Sequence, residues 1–146
     1  MIIDGRAIAR EIKEALKESA KAFGGSDTPT LFMARAGDDS AMKSFVAKKK
    51  EFARDIGVDA EEFFLSSREA TTAALLEWIR SIVARGKTGG IVVQLPLPAR
   101  VDTQTVLNAI PLRYDIDVLG RESVRLFEEG KLAILPPVVG ALREIL

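Results

Sequence analysis

The 146-residue sequence contains no cysteine and no histidine. Disulfides, thiolate nucleophiles, imidazole bases and the usual zinc ligand sets are thereby excluded together, and no metal site is expected. Any catalysis has to come from Lys, Asp, Glu, Ser, Thr, Tyr or an added cofactor. There is also no excess of charge: 21 basic residues meet 21 acidic ones, and no basic run is interleaved with aromatics. A nucleic-acid partner held by a broad positive surface is not expected. No apolar run reaches membrane-spanning length, and the opening Met1-Ile2-Ile3-Asp4-Gly5-Arg6 lacks the apolar core of a signal peptide. The expectation is a soluble, cytoplasmic protein without a membrane partner. Gly-x-Gly-x-x-Gly and Gly-x-x-x-x-Gly-Lys are missing too, and with them the usual phosphate cradles of dinucleotides and nucleoside triphosphates.

What is present alternates between helical and strand-like patterns. Asp4 suits an N-cap for a helix carrying Ile8, Ile12, Ala15, Leu16 and Phe23 at helical spacing, stopped by Gly24-Gly25. Apolar runs at 30–35, 61–66 and 91–93 predict three strands. Gly37-Asp38-Asp39-Ser40 introduces a helix that runs to Ile56-Gly57. Ser66 and Glu69 have capping-box spacing and predict the start of a third helix, with Ala73, Leu76, Ile79 and Val83 on one face and Leu75 and Ile82 widening it. The stretch from Gly86 to Gly90 reads as the break after it. Asp102 or Thr103 caps a short helix over 105–110, which Pro111 ends. A helix over 121–129, a turn at Gly130-Lys131, an apolar run over 132–135 and a last helix over 138–146 complete the chain. That order predicts one α/β domain over 1–146, with a small, mainly parallel sheet between helical layers.

Three places attract attention as sites. Gln94 ends the third strand just before Leu95-Pro96-Leu97-Pro98, whose prolines force the chain out of the sheet. Ligands of open α/β sheets bind at the carboxyl ends of strands, so an amide there is a candidate, although by itself it equally suits a loop tie. Lys49 interrupts the apolar stripe Met42, Phe45, Val46, Phe52, Ala53 and Ile56 of the second helix. Spacing alone favours a lysine that snorkels at the edge of the stripe; the alternative is a desolvated amine lining a pocket, with its pKa drawn toward neutrality. In Tyr114-Asp115-Ile116-Asp117-Val118-Leu119-Gly120, period-two alternation predicts both carboxylates on one side, away from Ile116. They suit acceptors for a ligand's amide or ring nitrogens better than a cation.

Taken together, the Met-Ile-Ile-Asp-Gly start, the Gly37-Asp38-Asp39 loop, the helix ending Ile56-Gly57, the Val92-Val93-Gln94-Leu95-Pro96-Leu97-Pro98 run and the Asp115/Asp117 pair resemble a known family. It is the N-terminal, folate-binding domain of the bifunctional methylenetetrahydrofolate dehydrogenase/methenyltetrahydrofolate cyclohydrolases. The resemblance implies a three-layer α-β-α domain like the N-terminal domain of amino-acid dehydrogenases, with a tetrahydrofolate derivative as substrate. It implies that Lys49 is the catalytic lysine, that Gln94 tunes it, and that Asp117 holds the pterin ring. Phe45, Leu95 and Pro96 are implied to border the substrate. NADP belongs to a second domain that this chain lacks, so no cofactor is expected on the chain itself. The bare apolar end at Ile145-Leu146 is expected to meet either that nucleotide-binding domain or a second copy. Three positions depart from the family pattern: Phe45 replaces its tyrosine, Val118 its glycine, and Pro136-Pro137-Val138-Val139 its Pro-Cys-Thr-Pro.

Overall fold

The computed structural model describes residues 3–23 and 28–146, so the expected Gly24-Gly25 stop lies outside the described residues. Asp4 caps the first helix, α1 (Gly5–Lys21), by accepting from the Arg6 and Ala7 backbone N–H groups. Strand β1 (Thr30–Ala36) follows, then helix α2 (Ser40–Asp55), whose first turn is held by the Asp39 carboxylate. Strand β2 spans Asp59–Leu65, starting two residues before the expected run. Helix α3 (Thr72–Ala84) leads to strand β3 (Thr88–Val93). Then come the short α4 (Thr103–Asn108), a 3-10 turn at Leu112–Tyr114, α5 (Arg121–Glu128) and α6 (Pro137–Ile145).

The three strands form one parallel sheet in the order β2-β1-β3. Odd-numbered β2 and β3 residues and even-numbered β1 residues face α3. There Phe32, Ala34, Leu75, Ile79, Ile82, Ile91 and Val93 form the larger core, with Phe63 stacked on Trp78 at 5.4 Å. The opposite face is thinner: Met33, Val46 and Val92 pack with Leu31, Ala60 and Ile116 under α2. Helices on both faces of a parallel sheet give the expected α-β-α layering. Among the described residues no helix is long and apolar enough to cross a membrane.

Several local expectations need correction. Ser66 and Glu69 do form reciprocal capping bonds, but they close an isolated turn; α3 begins at Thr72, with the Thr71 hydroxyl on the Ala74 N–H. Its buried stripe is Leu75, Trp78, Ile79 and Ile82, whereas Ala73 is exposed. The Gly86 to Gly90 stretch is only partly a break, because β3 already starts at Thr88. A side chain at Gly90 would come within 2.9 Å of Ile116, so the missing Cβ is what lets the later segment lie against this strand. That segment is not an alternating strand. Among the described residues its backbone pairs with the sheet at the isolated Ile91–Asp115 bridge, and then it turns.

Candidate functional site

The sheet and α2 bring Lys49, Gln94 and Asp117 toward one another from three separate elements. On α2, the buried positions are Met42, Val46 and Ala53, while Phe45 and Phe52 are 57% and 38% exposed. The expected wide apolar stripe is therefore narrower, and Lys49 stands half-buried on its flank rather than in its middle. Gln94 extends the β3 ladder by one residue, donating its backbone N–H to the Ala34 carbonyl at 2.9 Å. Its side-chain Nε2 donates to the Leu95 carbonyl at 3.3 Å, which turns Oε1 outward. Lys49 Nζ donates to that Oε1 at 3.4 Å, a long bond spanning 45 positions of sequence.

The two aspartates part company. Asp115 is 2% exposed; its Oδ1 accepts from the Leu119 N–H at 3.2 Å and its Oδ2 from the Gly120 N–H at 2.8 Å. A Cβ on Gly120 would lie 3.0 Å from that Oδ2, so glycine permits the close approach. Asp115 is thus a structural tie that shapes the turn. A turn, not an alternating strand, carries the two carboxylates, with Asp115 buried and Asp117 half-buried. Asp117 is half-buried, and burial pushes its carboxyl above the ordinary value of 3.8; the Lys49 charge pulls it down and Asp115 adds to the rise. Val118 follows with φ +56° although it is β-branched and 3% exposed. That conformation aims the chain from Asp117 back into the Asp115-bound turn.

Of the other expected substrate neighbours, Leu95 is half-buried against the main core, and Pro96 is exposed after a cis Leu95–Pro96 bond. Phe45, one turn before Lys49, presents its ring to solvent. The arrangement offers a primary amine held by an amide, a half-buried carboxylate within its field and an exposed aromatic ring. It can move a proton and accept from ring N–H groups. Among the described residues no group of three or more metal-ligating side chains is assembled.

A residue that sequence reasoning passed over is Arg35, 8% exposed within β1. It donates to Glu62 at 3.0 Å and to the Gly37 carbonyl at 2.9 Å, and stacks 4.1 Å from the Phe64 ring centre. With Lys43, Lys50 and Arg54 it lines a groove of about 640 Å3 on the β2 side of α2. That groove includes none of Lys49, Gln94 and Asp117.

The family profile described as "Tetrahydrofolate dehydrogenase/cyclohydrolase, catalytic domain" matches residues 3–117. The "Bifunctional protein FolD" of Geotalea daltonii is 39% identical over 138 residues, covering 94% of this chain and 47% of its own length. That of Halothermothrix orenii is 38% identical over 117 residues, 80% of this chain and 41% of its own. Among solved structures, the Trypanosoma brucei methylenetetrahydrofolate dehydrogenase-cyclohydrolase complexed with NADP cofactor and inhibitor superposes with a TM-score of 0.90 at 28% identity, over 99% of this chain and 50% of that one. The Campylobacter jejuni bifunctional enzyme gives 0.88 at 27%, over 96% and 51%. The chain spans about half the length of the curated relatives it matches. Its sequence and its α-β-α fold together make it a member of the tetrahydrofolate dehydrogenase/cyclohydrolase family, matched through the catalytic domain.

Proposed function

We propose that this chain is the folate-handling half of such an enzyme and that it opens methenyltetrahydrofolate by hydrolysis. In this reading the pterin lies on the Asp117 carboxylate, beside Phe45, Leu95 and Pro96. Water adds to the cationic methenyl carbon, a C–N bond of the five-membered ring breaks with its electron pair staying on nitrogen, the carbon becomes a formyl carbonyl, and the water's second proton leaves to solvent with the charge of the cation. Lys49 carries the proton from the adding water to that nitrogen. Gln94 holds the amine at the reacting carbon, and the Leu95 carbonyl fixes which end of the amide it meets. The observation that carries the reading is the Lys49–Gln94 bond, with Asp117 in the same electrostatic field.

Hydride transfer is a property of the joined protein in this proposal. The chain's residues do not fit NADP, since no Gly-rich turn for a pyrophosphate occurs in the sequence. A nucleotide-binding half would supply that site. It would also cover the apolar faces of α6, where Val138 is 72% and Leu142 51% exposed.

The test follows the loss of methenyltetrahydrofolate absorbance with this chain and with Lys49→Ala. Activity that disappears in the variant is the expected outcome. Equal activity in both would remove Lys49 from the mechanism, and none in either would sink hydrolysis by this chain. A second reading, a non-catalytic folate-domain scaffold, is favoured by Phe45, which lacks the hydroxyl of the family pattern. Under the first reading Phe45→Tyr raises the rate; under the second, hydrolysis stays undetectable in both forms.

A further inference from the structure

We propose that the groove on the β2 side of α2 is a second binding site, for a small phosphate monoester whose body carries hydroxyl or amino donors. Helix and sheet each supply one wall. Lys43, Lys50 and Arg54 share one face of α2, and Arg35 of β1 stands opposite with Asp59 and Glu62 of β2. The space between them, about 640 Å3, has the size of a small-molecule site.

Arg35 is the fixed part of the site. Its side chain is only 9% exposed, and three contacts hold it: Nε donates to Glu62, Nη1 donates to the Gly37 carbonyl, and the Phe64 ring stacks on the guanidinium. Nη2 has no partner among the described residues, yet none of their buried side-chain nitrogens is left unsatisfied. Nη2 therefore reaches open space, and the groove is the space that Arg35 lines. Lys50 approaches the other oxygen of Glu62 at 3.5 Å, which brings its ammonium beside the guanidinium. Lys43 lies two turns before Lys50 on the same helix face, and its ammonium has no partner among the described residues. At this end three cations share the single Glu62 carboxylate, leaving two positive charges uncompensated.

Charge and donor geometry then select the ligand. A phosphate monoester brings close to two negative charges at neutral pH and three acceptor oxygens. A carboxylate is suited best by two parallel N–H groups from one guanidinium, and Arg35 has already spent Nε and Nη1. What remains is a set of separate donors arriving from sheet and helix, which matches a tetrahedral oxyanion. Toward the other end of the groove the sign reverses. Helix α2 runs back against the strands, and from Lys43 to Arg54 it advances about 16 Å, to the start of β2. There the Glu51 and Asp59 carboxylates outnumber Arg54, and neither has a partner among the described residues. They accept from hydroxyl or amino groups on the body of the ligand. They also repel further phosphates, which sets a monoester apart from a polyphosphate.

The test titrates glucose 6-phosphate, glucose and inorganic phosphate into the isotopically labelled full chain and follows its amide resonances. Glucose 6-phosphate is expected to saturate with a dissociation constant of about 1 mM or below, shifting the amides of Lys43, Lys50 and Ala60. Inorganic phosphate is expected to bind at the same place more weakly, and glucose not at all. Arg35 is tied into the sheet, so the variants are made at exposed positions. Lys43→Ala removes one charge-assisted hydrogen bond and is expected to weaken the ester about tenfold. Asp59→Ala is expected to lower the preference for the ester over inorganic phosphate at least about threefold, because only the ester has a body for that carboxylate to hold. Lys49→Ala is expected to bind the ester as the parent chain does. No saturable shift, undiminished binding by Lys43→Ala, an unchanged preference in Asp59→Ala, or shifts centred on Gln94 and Asp117 would each overturn the proposal. None of the probes is a folate, so this proposal and the hydrolysis reading fail separately.

Discussion

At the scale of single residues, Asp117 and Val118 test how the site is balanced against stability. Burial, the largest influence on Asp117, raises its carboxyl pKa, so the proton is held more tightly in the folded than in the unfolded chain. The contribution of this residue to stability is full below the unfolded value of 3.8 and is lost as pH rises through the folded value. Asp117→Asn should therefore raise the melting temperature at neutral pH, with the gain vanishing in acid below that range, while folate binding falls. Melting curves across pH check this, and a variant less stable at pH 7 would show that Lys49 attraction outweighs burial. Val118 poses the reverse question. A left-handed backbone costs an L-residue about 1–2 kcal/mol, which Val118→Gly would recover. The same change loses the burial of a valine, about 1.5–3 kcal/mol, and adds about 0.5–1 kcal/mol of unfolded-chain entropy. Lost burial and added chain entropy together outweigh the relieved backbone, and denaturant titration should show Val118→Gly less stable by about 1 kcal/mol.

Among the elements, the contrast is between the sheet with α3 and the two terminal helices. α3 buries Leu75, Trp78, Ile79 and Ile82, whereas α1 and α6 bury no residue at all. α1 is tied to α2 by the Lys13–Asp55 ion pair and by Lys13 lying 5.7 Å over the Phe52 ring, contacts of modest strength at an exposed site. Ile82→Ala should accordingly cost about 2–5 kcal/mol and Leu142→Ala less than about 0.5 kcal/mol. Native-state hydrogen exchange should find α6 and most of α1 exchanging through local opening, well ahead of β1, β3 and α3. Protection of α6 equal to that of β1 would contradict the burial pattern.

These elements also show what can be read from the sequence and what cannot. Strand β1, the Asp4 and Asp39 caps and the helix at 121–129 follow from local patterns, because their signals are completed within a few residues. The α3 stripe Leu75, Trp78, Ile79 and Ile82 is less legible, because the overlapping series Ala73, Leu76, Ile79 and Val83 has the same helical spacing and only packing decides between them. Ser66 and Glu69 mislead because a capping box can close a turn that never propagates. The separation of Asp115 from Asp117 rests on backbone N–H groups at Leu119 and Gly120, which side-chain periodicity does not describe. Lys49 and Gln94 can be named singly, but their meeting depends on how α2 packs on the sheet, which brings the Lys49 amine to the end of β3. Arg35 is hidden for the same reason, since Glu62 becomes its partner only through the β1–β2 register.

For the whole molecule, the question is which ligand the fold recognises without the other half of its relatives' length. A ligand that binds only the folded state stabilises it by about 2.7 kcal/mol at a hundred times its dissociation constant, whatever the chemistry that follows. At about 2–4 °C per kcal/mol for a domain of roughly 150 residues, that corresponds to a rise of about 5–11 °C in melting temperature. A non-hydrolysable tetrahydrofolate analogue should therefore raise the melting temperature of this chain. NADP should not, because no Gly-rich pyrophosphate turn occurs in the sequence. The Asp117→Asn variant separates specific from general effects: it should start from a higher melting temperature and respond less to the analogue. Stabilisation by NADP alone would place nucleotide recognition within these 146 residues and overturn the division of labour proposed above.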